Sequence, residues 1–354
     1  MNYPRFLCSL LLFILCFVKT GRLFAGEGDR YITLIQDSPT AHVLEKGRLE
    51  FSFVHKRINN TLDIFNVKES IARDVSGLNL DDLGSIGDLS AYDMYGNIGL
   101  WNGLMLSASG GIEYLEVLNS TSKIDRLNIG LKYNLLPEGF FSPAISLKAG
   151  FKANRGSGIT KEFKQITFNV TDDVTITKKY TDGQYLTLGG LKDNTKYVGI
   201  YAGKLLFSRV ELHTFFEYGR TKVESEFDTS LAIEEIQRNL RFLEYKSHDY
   251  AIGVGSNAKL FSKLIFNFEY RYSWMNHDIS GDFEGREYTK NHNIKAKFHI
   301  LLTNFLALTF QGEYFSNQLI GEIPFIYNKR SASKFDNPYG YLGIGITFGY
   351  NYAR

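Results

Sequence analysis

The sequence predicts an all-β fold, an antiparallel up-and-down barrel of about twelve transmembrane strands, with fourteen strands as the alternative. Three observations predict it. Many stretches of about ten residues alternate apolar and polar side chains, and the connections between them alternate between short and long. The third observation is the last predicted strand, 340–352, which sets Leu342, Ile344 and Ile346 on one face, with no chain after it to cover that face.

The alternating stretches are longer than ordinary strands. Strands of soluble proteins usually have about five or six residues, whereas a tilted strand needs about 9–11 to cross a membrane. One predicted strand sets Leu127, Ile129 and Leu131 opposite Asn128 and Lys132. The twelve predicted strands are 48–58, 91–101, 104–115, 126–135, 144–152, 196–205, 209–220, 249–258, 263–274, 290–301, 305–315 and 340–352.

The connections separate into two kinds. Short turns at 102–103, 207–208, 260–262 and 301–304 alternate with long polar segments at 59–90, 153–195, 221–248, 275–289 and 316–339. Short periplasmic turns and long extracellular loops are the plan of an outer-membrane barrel, and an even number of strands brings both ends of the chain to the short-turn side.

Two long connections contain further predicted structure. Residues 153–195 contain a hairpin, which either projects outward or folds inward as a constriction. If both of its strands joined the wall, the barrel would have fourteen strands. Residues 229–246 predict a short amphipathic helix, capped by Thr229 or Ser230.

The N-terminus predicts an export signal. Arg5 precedes the apolar stretch 6–18, and the small residue Ala25 ends the predicted signal peptide, residues 1–25. Residues 26–46 are then a periplasmic N-terminal segment and 47–354 the barrel. Both cysteines lie in the signal, so the mature chain would have no disulfide. Removing three basic residues leaves 37 against 38 acidic ones, which argues against nucleic-acid binding by net charge.

Alternation alone does not say whether an apolar face meets lipid or a protein core. The alternative to the membrane barrel is a secreted, soluble β-sandwich or barrel with its apolar side chains inside. Strand length, the even strand count and the charges on the polar faces favour the membrane barrel. In that fold the last strand closes onto the first, and lipid covers its apolar face.

Over nearly its whole mature length, the chain resembles Gram-negative outer-membrane β-barrel proteins. Phe348, Tyr350 and Tyr352 on one face of the last strand resemble the signal that the barrel-assembly machinery reads, although Ala353 and Arg354 follow them here. Residues 38–53 resemble the start of the first strand in barrels of the phenol-degradation (MetA-pathway) type, through Pro39, Ala41, Leu44, Lys46, Gly47 and Glu50. Some of those barrels are linked to the uptake of hydrophobic compounds.

The polar faces carry the candidate site, a set of lumen-lining charges. Its members are the basic residues Lys56, Arg126, Lys132, Lys148, Lys152, Arg271, Lys295 and Lys297, the acidic residues Glu50, Asp93, Glu113, Glu211, Glu217, Glu269 and Glu313, and His213. Eight basic against seven acidic residues indicate no strong ion selectivity. The charges form either a structural ion-pair lattice in a partly dry interior or the wall of a water-filled path.

The sequence offers no clear catalytic site. His292 lies on an apolar face near one rim, but no serine is evidently placed to form a pair with it. His213 lies on the same inward face as Glu211 and Glu217. A metal or proton site would explain these three residues, but the ordinary polarity of a barrel lumen explains them equally well. We therefore expect no enzyme, metal or cofactor.

The function favoured by the sequence is a channel or porin-like transporter for small solutes in the bacterial outer membrane. Its expected partners are membrane lipid, the assembly machinery and a small solute. The alternatives are a non-transporting surface or structural barrel whose loops make contacts and, less favoured, an enzyme that acts on lipid.

Overall fold

The computed structural model describes residues 39–59, 78–79, 86–117, 120–171, 174–206, 209–230, 244–279, 289–317, 321–327 and 339–351. The predicted signal peptide, Tyr352 of the assembly signal and residues 231–243 of the predicted helix lie outside these residues. Tyr245 and Lys246, which that helix prediction included, are instead the first residues of a strand, and Thr229 is the last residue of another.

The described chain consists almost entirely of strands, with one turn of 3₁₀ helix at Pro324–Ile326. None of its helices is long and apolar enough to cross a membrane. The strands are β1 Arg48–Asn59, β2 Leu78–Asn79, β3 Ile86–Trp101, β4 Leu104–Val117, β5 Ser120–Leu136, β6 Ala144–Gly156, β7 Ile159–Thr171, β8 Val174–Leu206, β9 Val210–Thr229, β10 Tyr245–Phe261, β11 Leu264–His277, β12 Lys290–Leu301, β13 Leu306–Phe315 and β14 Tyr339–Asn351.

Twelve of these strands close into an antiparallel barrel. Each barrel strand pairs with the barrel strands before and after it in sequence, β6 pairs with β8, and β14 returns to β1 with Phe51 opposite Phe348. The prediction of twelve wall strands is confirmed. The C-terminal strand therefore has a neighbour on each side, and no edge is left open to the membrane.

β7 and the first half of β8 form the hairpin predicted within residues 153–195. They do not join the wall, because β6 pairs with β8 only from Arg155 opposite Lys192 onward. Leu186 to Gly189 of β8 still pair with β9, so the hairpin continues the sheet beyond the end of β6. β2 adds a short parallel pairing to β7. The hairpin thus extends the barrel past its long-loop rim.

Burial across the wall is the inverse of that in a soluble barrel. On β5, Ile129 and Leu131 are 43% and 49% exposed, while the neighbouring Lys132 is only 2% exposed. The same contrast holds on β12, where Phe298 and Ile300 face outward and Lys297 is buried. Apolar side chains outside and charged side chains inside are the arrangement of a transmembrane β-barrel. The soluble alternative, which needs the apolar face inside, does not fit.

Candidate functional site: the barrel lumen

The structure brings all sixteen lumen candidates to the inner face of the wall, where each is buried or half-buried. The basic members are Lys56, Arg126, Lys132, Lys148, Lys152, Arg271, Lys295 and Lys297. The others are Glu50, Asp93, Glu113, Glu211, His213, Glu217, Glu269 and Glu313. They do not form one uniform lattice. Most lie at mid-barrel, and a smaller group meets the short-turn end.

Two mid-barrel ion pairs form between neighbouring strands. Lys56 on β1 pairs with Asp93 on β3, which also accepts a hydrogen bond from the Tyr95 hydroxyl at 2.9 Å. Arg126 on β5 pairs with Glu113 on β4. A glycine makes room for the first pair, since a Cβ on Gly111 would lie 2.2 Å from the Asp93 Oδ1 atom.

A third ion pair joins two strands that are not neighbours in the sheet. Arg271 on β11 reaches past β10 to Glu217 on β9, which also accepts a hydrogen bond from Tyr201. Gly253 stands opposite Arg271 in the register and Ala251 opposite Glu217, so the intervening strand presents almost no side chain there. This ion pair therefore reaches across β10.

A row of charges crosses β11, β12 and β13. The register sets Lys295 opposite Glu269 on one side and opposite Glu313 on the other. Glu313 also accepts a hydrogen bond from Tyr341 on β14. The sequence accounts for this alternation, because the inward-facing residues at the same height on three consecutive strands are acidic, basic and acidic.

Residues 39–46 close the short-turn end of the lumen, and we call them the short-turn cap. Ala41 and Leu44 of the cap are fully buried. The Lys132 ammonium donates to the Thr40 carbonyl, the Ser146 hydroxyl donates to the Ala41 carbonyl, and the Thr40 hydroxyl donates to Glu211. The segment predicted as periplasmic is therefore, in its described part, a filling of the barrel end.

A histidine ties the same cap to the rim. His42 Nε2 lies 3.3 Å from Glu138 of the β5–β6 turn and 3.8 Å from Glu211. The cap approaches the wall closely, since a Cβ on Gly99 would lie 2.0 Å from the Glu45 carbonyl oxygen. The roles of Thr40 and His42 were not predicted from the sequence. The described residues contain no group of three or more metal-ligating side chains, here or elsewhere.

Residues 321–327 close the other end, and we call them the long-loop cap. Ile323, Phe325 and Tyr327 are buried in an apolar cluster with residues from seven strands, namely Ala91, Ile124, Val223, Tyr245, Met275, Phe315 and Tyr341. The Tyr245 hydroxyl donates to the Pro324 carbonyl at 2.7 Å. This cap was not predicted from the sequence. The available signal was the alternate spacing of Ile323, Phe325 and Tyr327 inside a long connection.

Between the two caps lies a polar cavity of about 180 Å³. Its size leaves room for several water molecules. Among the described residues, nine charged side chains line it, namely Lys56, Asp93, Arg126, Lys152, Glu269, Arg271, Lys295, Glu313 and Glu322. Glu322 belongs to the long-loop cap and lies with its Oε2 atom 3.6 Å from Arg126 Nη2. The cavity can hold water and small polar solutes, and it has charges of both signs.

No protein-family model and no curated protein matches this sequence. The solved structures that it resembles include the translocator domain of the autotransporter NalP from Neisseria meningitidis, with 9% identity, 87% of this chain and 89% of that one covered, and a TM-score of 0.46. They also include the NanC porin, with 9% identity, 84% and 98% coverage, and a TM-score of 0.44.

A third is an outer membrane channel from Pseudomonas putida F1, with 9% identity, 92% and 100% coverage, and a TM-score of 0.43. At this identity and these scores, none of the three contributes to the argument about function. The assignment of a transmembrane barrel rests on the closure of the twelve strands and on their inverted burial.

Proposed function

We propose that this protein is a channel of the bacterial outer membrane that passes small polar solutes and that the described conformation is its closed state. The observation that carries the proposal is the nature of the closure. Two segments outside the wall strands, residues 39–46 and 321–327, occupy the two ends of the barrel, and a charged cavity lies in the lumen between them. A segment that is not paired into the sheet can leave the lumen without breaking the wall.

The chemistry of the mid-lumen supports a path for solutes. Charged groups in a dry interior are costly unless each is paired, and an apolar filling of similar volume is often at least as stable. The long-loop end of this barrel is filled in that apolar way, yet the middle retains nine charged side chains around a cavity. A wall of this kind suits a hydrated passage.

Mixed charge at the cavity supports weak rather than strong ion selectivity. Basic and acidic residues alternate around it, as in the row Glu269, Lys295 and Glu313. Strong selectivity would require rings of one sign along the path. We infer a narrow channel for small polar solutes, with no catalytic step and no cofactor.

Planar-bilayer recordings test the proposal. The mature protein should conduct in brief, small openings, and a variant without residues 26–46 and with 321–327 replaced by a Gly-Ser linker should stay open. A matched control replaces an equally long part of the projecting hairpin, residues 177–183, with the same linker. If the doubly uncapped barrel inserts and remains folded but never conducts, the channel proposal fails.

Location and assembly follow from the same proposal. The mature chain should begin near Gly26 and fractionate with outer membranes, and the barrel-assembly machinery should recognise β14. Recovery of the protein from the soluble periplasm would contradict both. Phe348 is part of the β1–β14 seam, so a Phe348→Ala variant should assemble less efficiently.

One observation favours a second candidate function, that of a surface protein. The β7–β8 hairpin extends beyond the rim, and its residues Thr177, Lys178 and Lys179 are exposed. A non-transporting barrel that makes contacts through this hairpin would remain silent in the bilayer recordings, even with both caps removed.

A further inference from the structure

Of the described charged residues that line the cavity, Glu322 alone does not belong to the wall. It lies in the long-loop cap, one residue before the first apolar anchor, Ile323. Its backbone carbonyl accepts a hydrogen bond from the Asn154 side chain at 3.4 Å, and its carboxylate lies 3.6 Å from the Arg126 guanidinium. The cap therefore inserts a carboxylate into the cavity when it docks.

Cations from four strands surround the place where this carboxylate lies. Lys56 on β1, Arg126 on β5, Lys152 on β6 and Arg271 on β11 line the same cavity. Lys152 also lies 5.4 Å from the centre of the Tyr197 ring. A guanidinium is planar and matches the geometry of a carboxylate, which makes arginine a suitable residue for carboxylate recognition.

The net charge of the cavity lining depends on whether Glu322 is present. Lys295 joins these four cations, so that five basic residues of the wall line the cavity, against the three wall acids Asp93, Glu269 and Glu313. Glu322 is the fourth acidic residue of the lining. When the long-loop cap leaves, the cavity loses one negative charge, and its remaining lining has an excess of cations.

Electrostatics keep Glu322 charged in its docked position. Burial raises the pKa of this carboxyl group, but attraction to Arg126, Lys152 and Arg271, with a smaller effect of Lys56, outweighs it. The pKa of Glu322 therefore lies below its ordinary value. The Glu322 carboxylate therefore occupies the position that the carboxylate of a bound ligand would take.

We propose that the cavity is a binding site for small organic carboxylates, that Glu322 occupies it in the closed state, and that an incoming carboxylate competes with Glu322 and so favours release of the long-loop cap. The binding step stands on the geometry of the cavity. The release step rests on the proposed channel function. The wall acids Glu269 and Glu313 limit the site to ligands of low negative charge.

Calorimetric titration of the refolded barrel in detergent tests the binding step. The probe is propionate, and its neutral counterpart is propionamide. A Glu322→Gln variant should bind propionate at least tenfold more tightly than the wild type, because its internal competitor no longer has a charge. The variant Arg126→Gln combined with Glu322→Gln should lose this gain, and neither variant should bind propionamide.

A matched control separates the site from a general effect of removing an acid. Glu162 is exposed on the projecting hairpin, so Glu162→Gln should bind propionate as the wild type does. A Glu322→Ala variant provides a second removal of the carboxylate if the glutamine variant misfolds. Equal affinity of the wild type and the Glu322 variants for propionate, or no binding to any of them, would overturn the proposal.

The release step has its own readout. Propionate added to the wild-type channel should raise its open fraction severalfold, whereas propionamide should leave the open fraction unchanged. The two proposals fail in different ways. A barrel that binds propionate but never conducts defeats the channel alone, and a barrel that conducts but does not bind propionate defeats the carboxylate site alone.

Discussion

The two caps close the same barrel by opposite means. The short-turn cap is held mainly by polar contacts, in which Lys132 and Ser146 donate to backbone carbonyls and Glu211 accepts from Thr40. The long-loop cap is held mainly by burial of Ile323, Phe325 and Tyr327 in an apolar cluster. Within the described part of the chain the two caps share no anchoring residue, so we expect each end of the lumen to open separately.

The two kinds of contact also predict different roles for the two caps. Apolar burial has no directional requirement, so a cap held by it can undock as a unit. Charge-assisted hydrogen bonds to carbonyls are directional and fix the position of the chain that accepts them. We therefore expect the long-loop cap to act as the movable gate and the short-turn cap as the more specifically positioned closure.

The largest effect is expected from Phe325→Ala. Truncation of a buried phenylalanine costs about 3–5 kcal/mol, which would shift the docking equilibrium of the long-loop cap by more than about a hundredfold. Hydrogen exchange of the Ile326 and Tyr327 amides should accelerate accordingly, while amides of β12 stay protected. Phe140→Ala removes an exposed ring on a short turn and is the matched control. Unchanged protection at residues 326–327 would remove the basis for an apolar gate.

A smaller effect is expected from Lys132→Met, which tests the polar closure. Its ammonium donates to the Thr40 carbonyl and lies 3.4 Å from the His42 carbonyl. Hydrogen bonds of a charged group contribute about 1.5–3 kcal/mol, so exchange of the His42 amide should accelerate roughly tenfold or more. Lys263→Met, at an exposed turn lysine, is the control. If the long-loop cap loosened equally, the two closures would be coupled and the comparison would fail.

These expectations depend on features that the sequence revealed to different degrees. The wall was predictable, since alternation fixes which side chains share a face. Strand length, the even strand count and the charges on the polar faces then favour lipid as the environment of the apolar face. All twelve wall strands lie where the alternation places them. Several are longer than predicted at the long-loop end, as in β5, which begins at Ser120 instead of residue 126. Most of the residues added to β5 are polar, and pairing with β4 orders them. The exception is Ile124, which is buried against the long-loop cap.

The caps were not predictable in the same way, because alternation describes strands and says nothing about where a connection folds. Ala41 and Leu44 belong to the segment that resembles the start of the first strand in a known type of barrel, yet both are buried inside the short-turn end. Lys132 and Glu211 were predicted as lumen charges, but the chain segment that they bind could not be inferred. A strand partner has a register that the sequence constrains, whereas a buried loop has none.

The smallest effect is expected from Tyr245→Phe, and it sharpens the description of the long-loop cap. The Tyr245 hydroxyl donates to the Pro324 carbonyl, which also accepts the Tyr327 amide at 3.1 Å. The variant therefore leaves that carbonyl with a partner, and the expected loss is only about 0.5–1.5 kcal/mol, or roughly a two- to twelvefold faster exchange of the cap amides. If apolar burial dominates this closure, the change must be far smaller than that caused by Phe325→Ala.

Tyr218→Phe is the matched control for this variant, because its hydroxyl contacts His248 Nδ1 at 2.7 Å among exposed groups. It should leave exchange of the cap amides unchanged. A loss in Tyr245→Phe as large as that in Phe325→Ala would mean that one hydrogen bond holds the long-loop cap. The two ends of the barrel would then be closed by the same kind of interaction, and the ease of opening assigned to the long-loop end would have no physical basis.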